Sequence, residues 1–245
     1  GINEYPNAIR KSIKDINKFM LDFEQYVPHM ESIYFAGGEP LITDEHYLVL
    51  NEIIKHEIKP SVIYNTNLST FTHRKSSILD IWSTLGDKLT IQASLDGSGA
   101  RAEYMRSGTV WTQIESNLRE LKERCKDAKL IINPTLSIYN AFHLPDFHRE
   151  MVEKGFISVT QWQINYLQVP YYQNAKNLLE TDKRELSDKY TKHIDWINSH
   201  GTSDDIKSIA EQFRTSIKFF FEEVEPNQHF EFLDKTRDLD KIRKE

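Results

Sequence analysis

Ser32-Ile33-Tyr34-Phe35-Ala36-Gly37-Gly38-Glu39-Pro40 is the stretch that decides the fold. The β-branched and aromatic residues before Gly37 predict a short strand. Two glycines end it, and glycine at a strand end lets a ligand come close to backbone N–H and C=O groups. The carboxylate of Glu39 suits an ammonium group, and Pro40 fixes the turn that follows. An ordinary glycine-rich turn with a solvated Glu39 accounts for the same residues equally well. Beyond it, Thr43 to His56 predicts a helix with Thr43 or Asp44 as its cap.

The same strand-to-helix unit recurs in both directions. Upstream, Ile9, Ile13, Ile16, Phe19, Met20 and Phe23 fall at helical spacing within residues 7–27. Downstream, strands are predicted at Ser61–Thr66, Leu89–Leu95, Lys129–Leu136 and Val159–Val169, the last ending at Pro170. Helices are predicted between them at Ser76–Leu85, Trp111–Cys125 and Leu144–Lys154. Strands alternating with helices at this spacing imply an α/β fold with a parallel sheet and right-handed crossovers. After residue 175 the strands stop. Leu179–Ser199 and Asp204–Glu223 read as long charged helices, a polar break follows at residues 225–228, and Phe230–Arg243 reads as a shorter helix. Ile206, Ile209, Phe213, Ile217 and Phe220 recur at spacings of three and four, which gives this region an apolar face to bury. Phe219, Phe221, Phe230 and Phe232 predict an aromatic cluster around the break.

Composition narrows the function. The 245 residues carry 31 Lys and Arg against 37 Asp and Glu, a net charge of −6 that argues against a dedicated nucleic-acid binder. No apolar run is long enough to span a bilayer, and no signal peptide is visible, so a cytoplasmic protein is expected. The single cysteine, Cys125, excludes an internal disulfide and any multi-cysteine metal site in this chain. With no histidine near it in sequence, Cys125 reads as a packed thiol. His143 and His148, and His193 and His200, are spaced wrongly for two ligands on one helix face and read as surface residues.

In parallel β/α folds the chemistry sits at the carboxyl ends of the strands. Those ends carry Gly37, Gly38, Glu39 and Pro40; then Asn65, Thr66 and Asn67; then Ser94, Asp96 and Gly97; then Asn133, Thr135 and Ser137; then Gln163 and Asn165. Polar residues begin many loops, but their recurrence at five ends predicts a polar pocket there. Gly97-Ser98-Gly99-Ala100-Arg101-Ala102 matches the dinucleotide-binding fingerprint weakly: Asp96 would stand beside the pyrophosphate, and Gly108 interrupts the helix that should follow.

These segments resemble, in order, the radical S-adenosylmethionine (radical SAM) enzymes. Tyr34 to Leu41 looks like the second-strand signature of that family, Tyr64 to Leu68 its third-strand segment, and Ser94 to Gly97 with Arg101, Tyr104 and Arg106 its fourth. Ile131–Ile138 and Gln163–Leu167 resemble the fifth and sixth strand segments, and residues 232–243 resemble the end of the twitch-domain branch. The resemblance implies a partial (β/α)6 barrel lacking its first strand, over residues 1–174, with a twitch-like helical extension over 175–245. It implies that a reduced [4Fe–4S] cluster cleaves SAM to a 5′-deoxyadenosyl radical, which abstracts a substrate hydrogen. The cluster motif, Cys-x3-Cys-x2-Cys after the first strand, is absent, so its ligands are expected upstream of Gly1. No auxiliary cluster is implied. By the same resemblance Gly37, Gly38, Glu39 and the Pro40 turn hold the SAM amino group. Ser94 and Asn67 address the ribose, Asp96 belongs to the same site, and Arg106 pairs with the carboxylate, with Arg101 as its rival. Asn133 and the backbone near Gln163 line the adenine. No catalytic acid or base is singled out. The implied partners are SAM, a reductant and, by analogy with related branches, a peptide or protein substrate. The late helices are expected either to border the substrate entrance or to pack on outer helices. Two other readings stay open: a cluster-less binding module, and a conventional nucleotide-binding α/β protein using Gly97 to Ala102.

Overall fold

A computed structural model describes residues 15–56, 59–224 and 226–243. Ile9 and Ile13 of the first predicted helix, and Glu225 of the polar break, lie outside them. Helix α1 (Ile16–Tyr26) starts where the Asp15 carboxylate accepts the Asn17 and Lys18 amides. It sets Phe23 against Val49 and Ile53 of α2 (Asp44–Ile54).

The sheet begins with β1 (Ser32–Phe35) and β2 (Ser61–Thr66). A two-rung hairpin, β3 (Thr72–His73) and β4 (Ser76–Ser77), leads into α3 (Ile78–Trp82), where the sequence predicts one longer helix. Then come β5 (Leu89–Ala93), α4 (Gly99–Met105), α5 (Trp111–Arg124), β6 (Lys129–Ile132), β7 (Thr135–Leu136), α6 (Leu144–Glu153) and β8 (Asn165–Tyr166). Helices α7 (Glu180–Asn198), α8 (Asp204–Phe220) and α9 (Gln228–Arg243) complete the chain.

Strands β1, β2, β5 and β6 pair in parallel in that order, and β7 pairs in parallel with β8. The predicted strand Lys129–Leu136 is interrupted because Pro134 has no N–H to donate. Its neighbour from Val159 to Val169 shrinks to a bridge at Trp162 and the two residues of β8. Both still run side by side: Gln163 N donates to Ile132 O at 3.0 Å and Asn165 N to Pro134 O at 2.8 Å. Five ribbons therefore neighbour one another in chain order. With right-handed crossovers, that order puts the helices on one face and curls the sheet as in a partial (β/α) barrel. A doubly wound sheet reverses its order at a switch point, and this one does not.

Alternation along the strands gives two different faces. Val62, Tyr64, Leu89, Ile91, Ala93, Leu130 and Ile132 are buried against α2, α3, α5 and α6, in a core with Leu50, Trp82, Leu118 and Phe147. The opposite face carries Tyr34, Asn65, Gln92, Asn133 and Asn165, half-exposed or exposed.

Helices α7 and α8 pack on each other. Ile206, Ile209, Phe213 and Phe220 are buried, as their spacing predicts. The predicted aromatic cluster does not form. Phe219 packs on Tyr166, Phe232 meets Tyr139, and Phe221 and Phe230 stay exposed, because α9 turns away toward the carboxyl ends of the strands. No helix of the described residues is long and apolar enough to cross a membrane.

Candidate active site

The carboxyl ends of the strands are joined by side chains that reach from one strand to the next. Gly37 and Gly38 have φ of +84° and +56°, values that a residue with a Cβ adopts only under strain. That turn aims Glu39 at the end of β2. Glu39 Oε1 accepts the Thr66 hydroxyl at 2.7 Å and Oε2 accepts the Asn67 amide at 2.9 Å. Pro40 is buried and opens the single turn before α2. The Asn67 side chain in turn accepts the Ser69 amide at 2.8 Å. At the next strand end, the Ser94 hydroxyl donates to Asn65 Oδ1.

Asp96 is the central node, with 8% of its surface exposed. Its Oδ2 accepts Arg106 Nε at 2.6 Å and its Oδ1 accepts the Thr135 amide at 2.7 Å. The buried Asn140 side chain donates to Asp96 O and Thr135 O, at 2.9 and 3.0 Å, and so fixes the ends of β5 and β7 together. Because Asp96 takes Nε, the two terminal nitrogens of Arg106 are held as a fork, the geometry that matches a carboxylate.

That fork lines a cavity of about 340 Å³ with Asn67, Ser94, Asp96 and Gly97, closed by Trp111 and Ile114 of α5. A second cavity of about 180 Å³ lies across Asp96, under α9. The structure thus brings Asn67, Ser94, Asp96 and Arg106 into one cavity, with Gly37, Gly38, Glu39 and Pro40 beside it through the Glu39–Asn67 bond. Asn133 and Gln163 line neither cavity. The Asn133 side chain accepts Asn165 Nδ2 at 2.6 Å, and Gln163 is exposed on the last ribbon. Arg101 points elsewhere, to Tyr139 O at 2.6 Å.

The fingerprint-like stretch is committed to other work. Ser98 N donates to His143 Nε2 at 3.2 Å and the Ser98 hydroxyl to Glu150 at 2.5 Å. Burial lowers the pKa of His143, in keeping with its ring accepting that bond. Helix α4 is only seven residues long. With no switch point in the sheet, the conventional nucleotide-binding reading has no structural support.

Two histidines correct the sequence reading. His148 and His193 are buried, with Nδ1 and Nε2 2.9 Å apart, because α6 and α7 turn them toward Trp162, Trp196 and Phe213. No group of three His, Cys, Asp or Glu among the described residues could hold a metal. Cys125 is buried, and burial pushes its thiol up to about 11, the wrong direction for a thiolate ligand. Sequence reasoning missed Tyr139 and Asn140, and it placed Tyr104 and Arg243 in family-like segments without a role at the site; the four line or brace the mouth from three separate segments.

No protein-family model matches the chain, and no curated protein matches it in sequence. Solved structures do match. Native anSMEcpe, an anaerobic sulfatase-maturating radical SAM enzyme, with bound AdoMet is 17% identical with a TM-score of 0.51, over 76% of this chain and 51% of that one. The hexahistidine-tagged form with bound AdoMet is 16% identical with a TM-score of 0.56, over 77% and 52%. Native anSMEcpe with bound AdoMet and Cp18Cys peptide is 15% identical with a TM-score of 0.51, over 77% and 53%. This chain therefore spans about half the length of the structures it resembles, and the likeness shows the fold.

Proposed function

We propose that this chain is the SAM-binding part of a radical SAM enzyme and that the Arg106 cavity receives SAM. The observation that carries the reading is the Asp96–Arg106 pair at the carboxyl end of a sequentially ordered parallel sheet, in a fold shared with structures that hold AdoMet. The cavity volume is in the range of small-molecule sites. Its donor set fits an amino acid joined to a nucleoside: a guanidinium fork for the carboxylate, and Ser94 and Asn67 for hydroxyls. The amino group is assigned to the backbone at Gly37 and Gly38, which has open space around it and is held in position by Glu39.

Bound and reduced by one electron, SAM supplies hydrogen-atom abstraction. The chain's own residues bind and orient it: Asp96 fixes the guanidinium, Glu39 fixes the end of β2, and Trp111 and Ile114 exclude water from one wall. An iron–sulfur cluster does not fit the residues described, which offer one buried thiol of raised pKa. We assign the cluster to cysteines outside this chain, and an electron donor to it. A peptide or protein substrate, and a twitch-like role for residues 175–245, belong to the same proposal. The peptide held by an anSMEcpe structure supports the former.

Calorimetric titration with SAM, NAD and ATP tests the reading. SAM should bind and NAD should not; binding of NAD or ATP in preference to SAM would overturn it.

A further inference from the structure

Helix α9 is attached differently from the helices before it. Seven residues of α8 are buried, whereas α9 buries none. It meets the body through His229, Phe232, Thr236, Asp240 and Arg243, spaced three and four apart along one face, and through the half-buried Leu239 beside them. His229 Nδ1 donates to Asn177 O at 2.9 Å. The Phe232 ring meets Tyr139 at 5.2 Å, and Thr236 Oγ1 shares a 2.8 Å hydrogen bond with the Tyr139 hydroxyl. Asp240 accepts the Tyr104 hydroxyl at 2.8 Å, and Arg243 donates to Tyr104 O at 2.7 Å. Each hydrogen bond of such a stripe is worth only a modest net free energy against water, so the stripe holds a helix less firmly than a buried apolar face, and losing two bonds loosens it measurably.

Beneath this helix lies the smaller cavity, between Thr135, Ser137, Tyr104, Tyr139, Gln173 and Arg243, with Asp96 as the wall shared with the Arg106 cavity. We propose that α9 is a dissociable roof, and that the chamber beneath it is a second subsite that takes a hydroxyl-bearing side chain of the substrate when α9 lifts. The volume of about 180 Å³ admits one small side chain. Met105, Leu167 and Leu239 line part of it, and the hydroxyls of Tyr104, Thr135, Ser137 and Tyr139 with the Gln173 amide line the rest, so a small side chain with one hydroxyl gains partners there that its apolar counterpart leaves unpaired. The inference rests on the reading above only in taking the occupant to be substrate; its test needs no SAM, so the two fail separately.

The test places a reporter thiol in the chamber as Thr135→Cys, in a Cys125→Ala background, and follows its reaction with a small methanethiosulfonate. Tyr104→Phe with Tyr139→Phe removes two of the ties. Labelling should quicken about tenfold or more, while amide exchange in α8 stays unchanged. Asp240→Ala with Thr236→Ala removes the same bonds from the helix side and should do the same. In the parent chain, α9 amides should exchange well ahead of those in α8. N-acetylthreoninamide should slow labelling, and N-acetylvalinamide, of the same shape without the hydroxyl, should not. Labelling indifferent to both variant pairs, or α9 exchange as slow as that of α8, would overturn the roof. Equal effects of the two amides, or none from either, would overturn the subsite.

Discussion

Glu39 at the end of β1 and Asn67 at the end of β2 are joined by a 2.9 Å bond from the Asn67 amide to the Glu39 carboxylate. The Thr66 hydroxyl holds the other oxygen. Glu39 therefore couples the glycine turn to the floor of the Arg106 cavity, whatever it offers a ligand directly.

Glu39→Gln should be destabilising in the unliganded protein. The glutamine oxygen can accept the Asn67 amide, but its NH2 can only donate, so the Thr66 hydroxyl, which already accepts the Leu68 amide at 3.2 Å, must turn its own proton away, and the charged acceptor is lost. Loss of a hydrogen bond to a charged, half-buried group costs about 1.5–3 kcal/mol. Urea denaturation measures it; an unchanged midpoint would mean the carboxylate is an ornament of the turn.

Gln212 of α8 caps the outer edge of the sheet. Its Oε1 accepts the Ile164 amide at 2.8 Å and its Nε2 donates to Trp162 O at 3.3 Å, the groups a further strand would have used. Gln212→Leu leaves both unpaired and should cost about 1–3 kcal/mol. Gln212→Glu keeps the acceptor but sets a second oxygen against Trp162 O, and should fare no better. Amide exchange at Ile164 reads the effect locally; protection that survives both variants would contradict the cap.

The parallel α/β sheet and its polar strand ends, Asn67, Ser94 and Asp96 among them, follow from periodicity and from the residues before each helix, whereas the barrel and Arg106 came from the family resemblance. Gln212 was not legible, because one glutamine on a charged helix has no periodic signature. The burial of His148 and His193 was hidden for a related reason: five- and seven-residue spacings describe one helix, and these two meet from different helices. Asn133 seemed equivalent to Ser94 by position, but Pro134 breaks the ladder beside it and its side chain pairs with Asn165.

Buried histidines make the fold acid-sensitive. Burial lowers His46 to about 4, His148 to about 3 and His193 to about 2, against 6.5 for a free imidazole. Below pH 6.5 the unfolded chain binds protons that the folded one refuses, so this contribution to stability is intact above neutrality and falls as pH drops. Each such histidine should remove about 2 kcal/mol between pH 7 and pH 5. Denaturation at several pH values measures the slope, and His193→Leu should make it shallower. A flat profile over that interval would contradict the neutral pair.

Anaerobic reconstitution with iron and sulfide should leave this chain without a stoichiometric cluster, because its one thiol is buried. Broad visible absorbance with four irons per chain would contradict the assignment of the cluster ligands elsewhere.

The central claim is that Arg106, braced by Asp96, receives the carboxylate of SAM. The direct measurement is the affinity of the chain for SAM and for decarboxylated SAM, before and after Arg106→Lys, by calorimetry. The account predicts that SAM binds the more tightly of the two. It also predicts that Arg106→Lys weakens SAM by about tenfold through loss of the fork, while decarboxylated SAM is little affected. Equal affinity for the two compounds, or an equal loss of both on substitution, would contradict it.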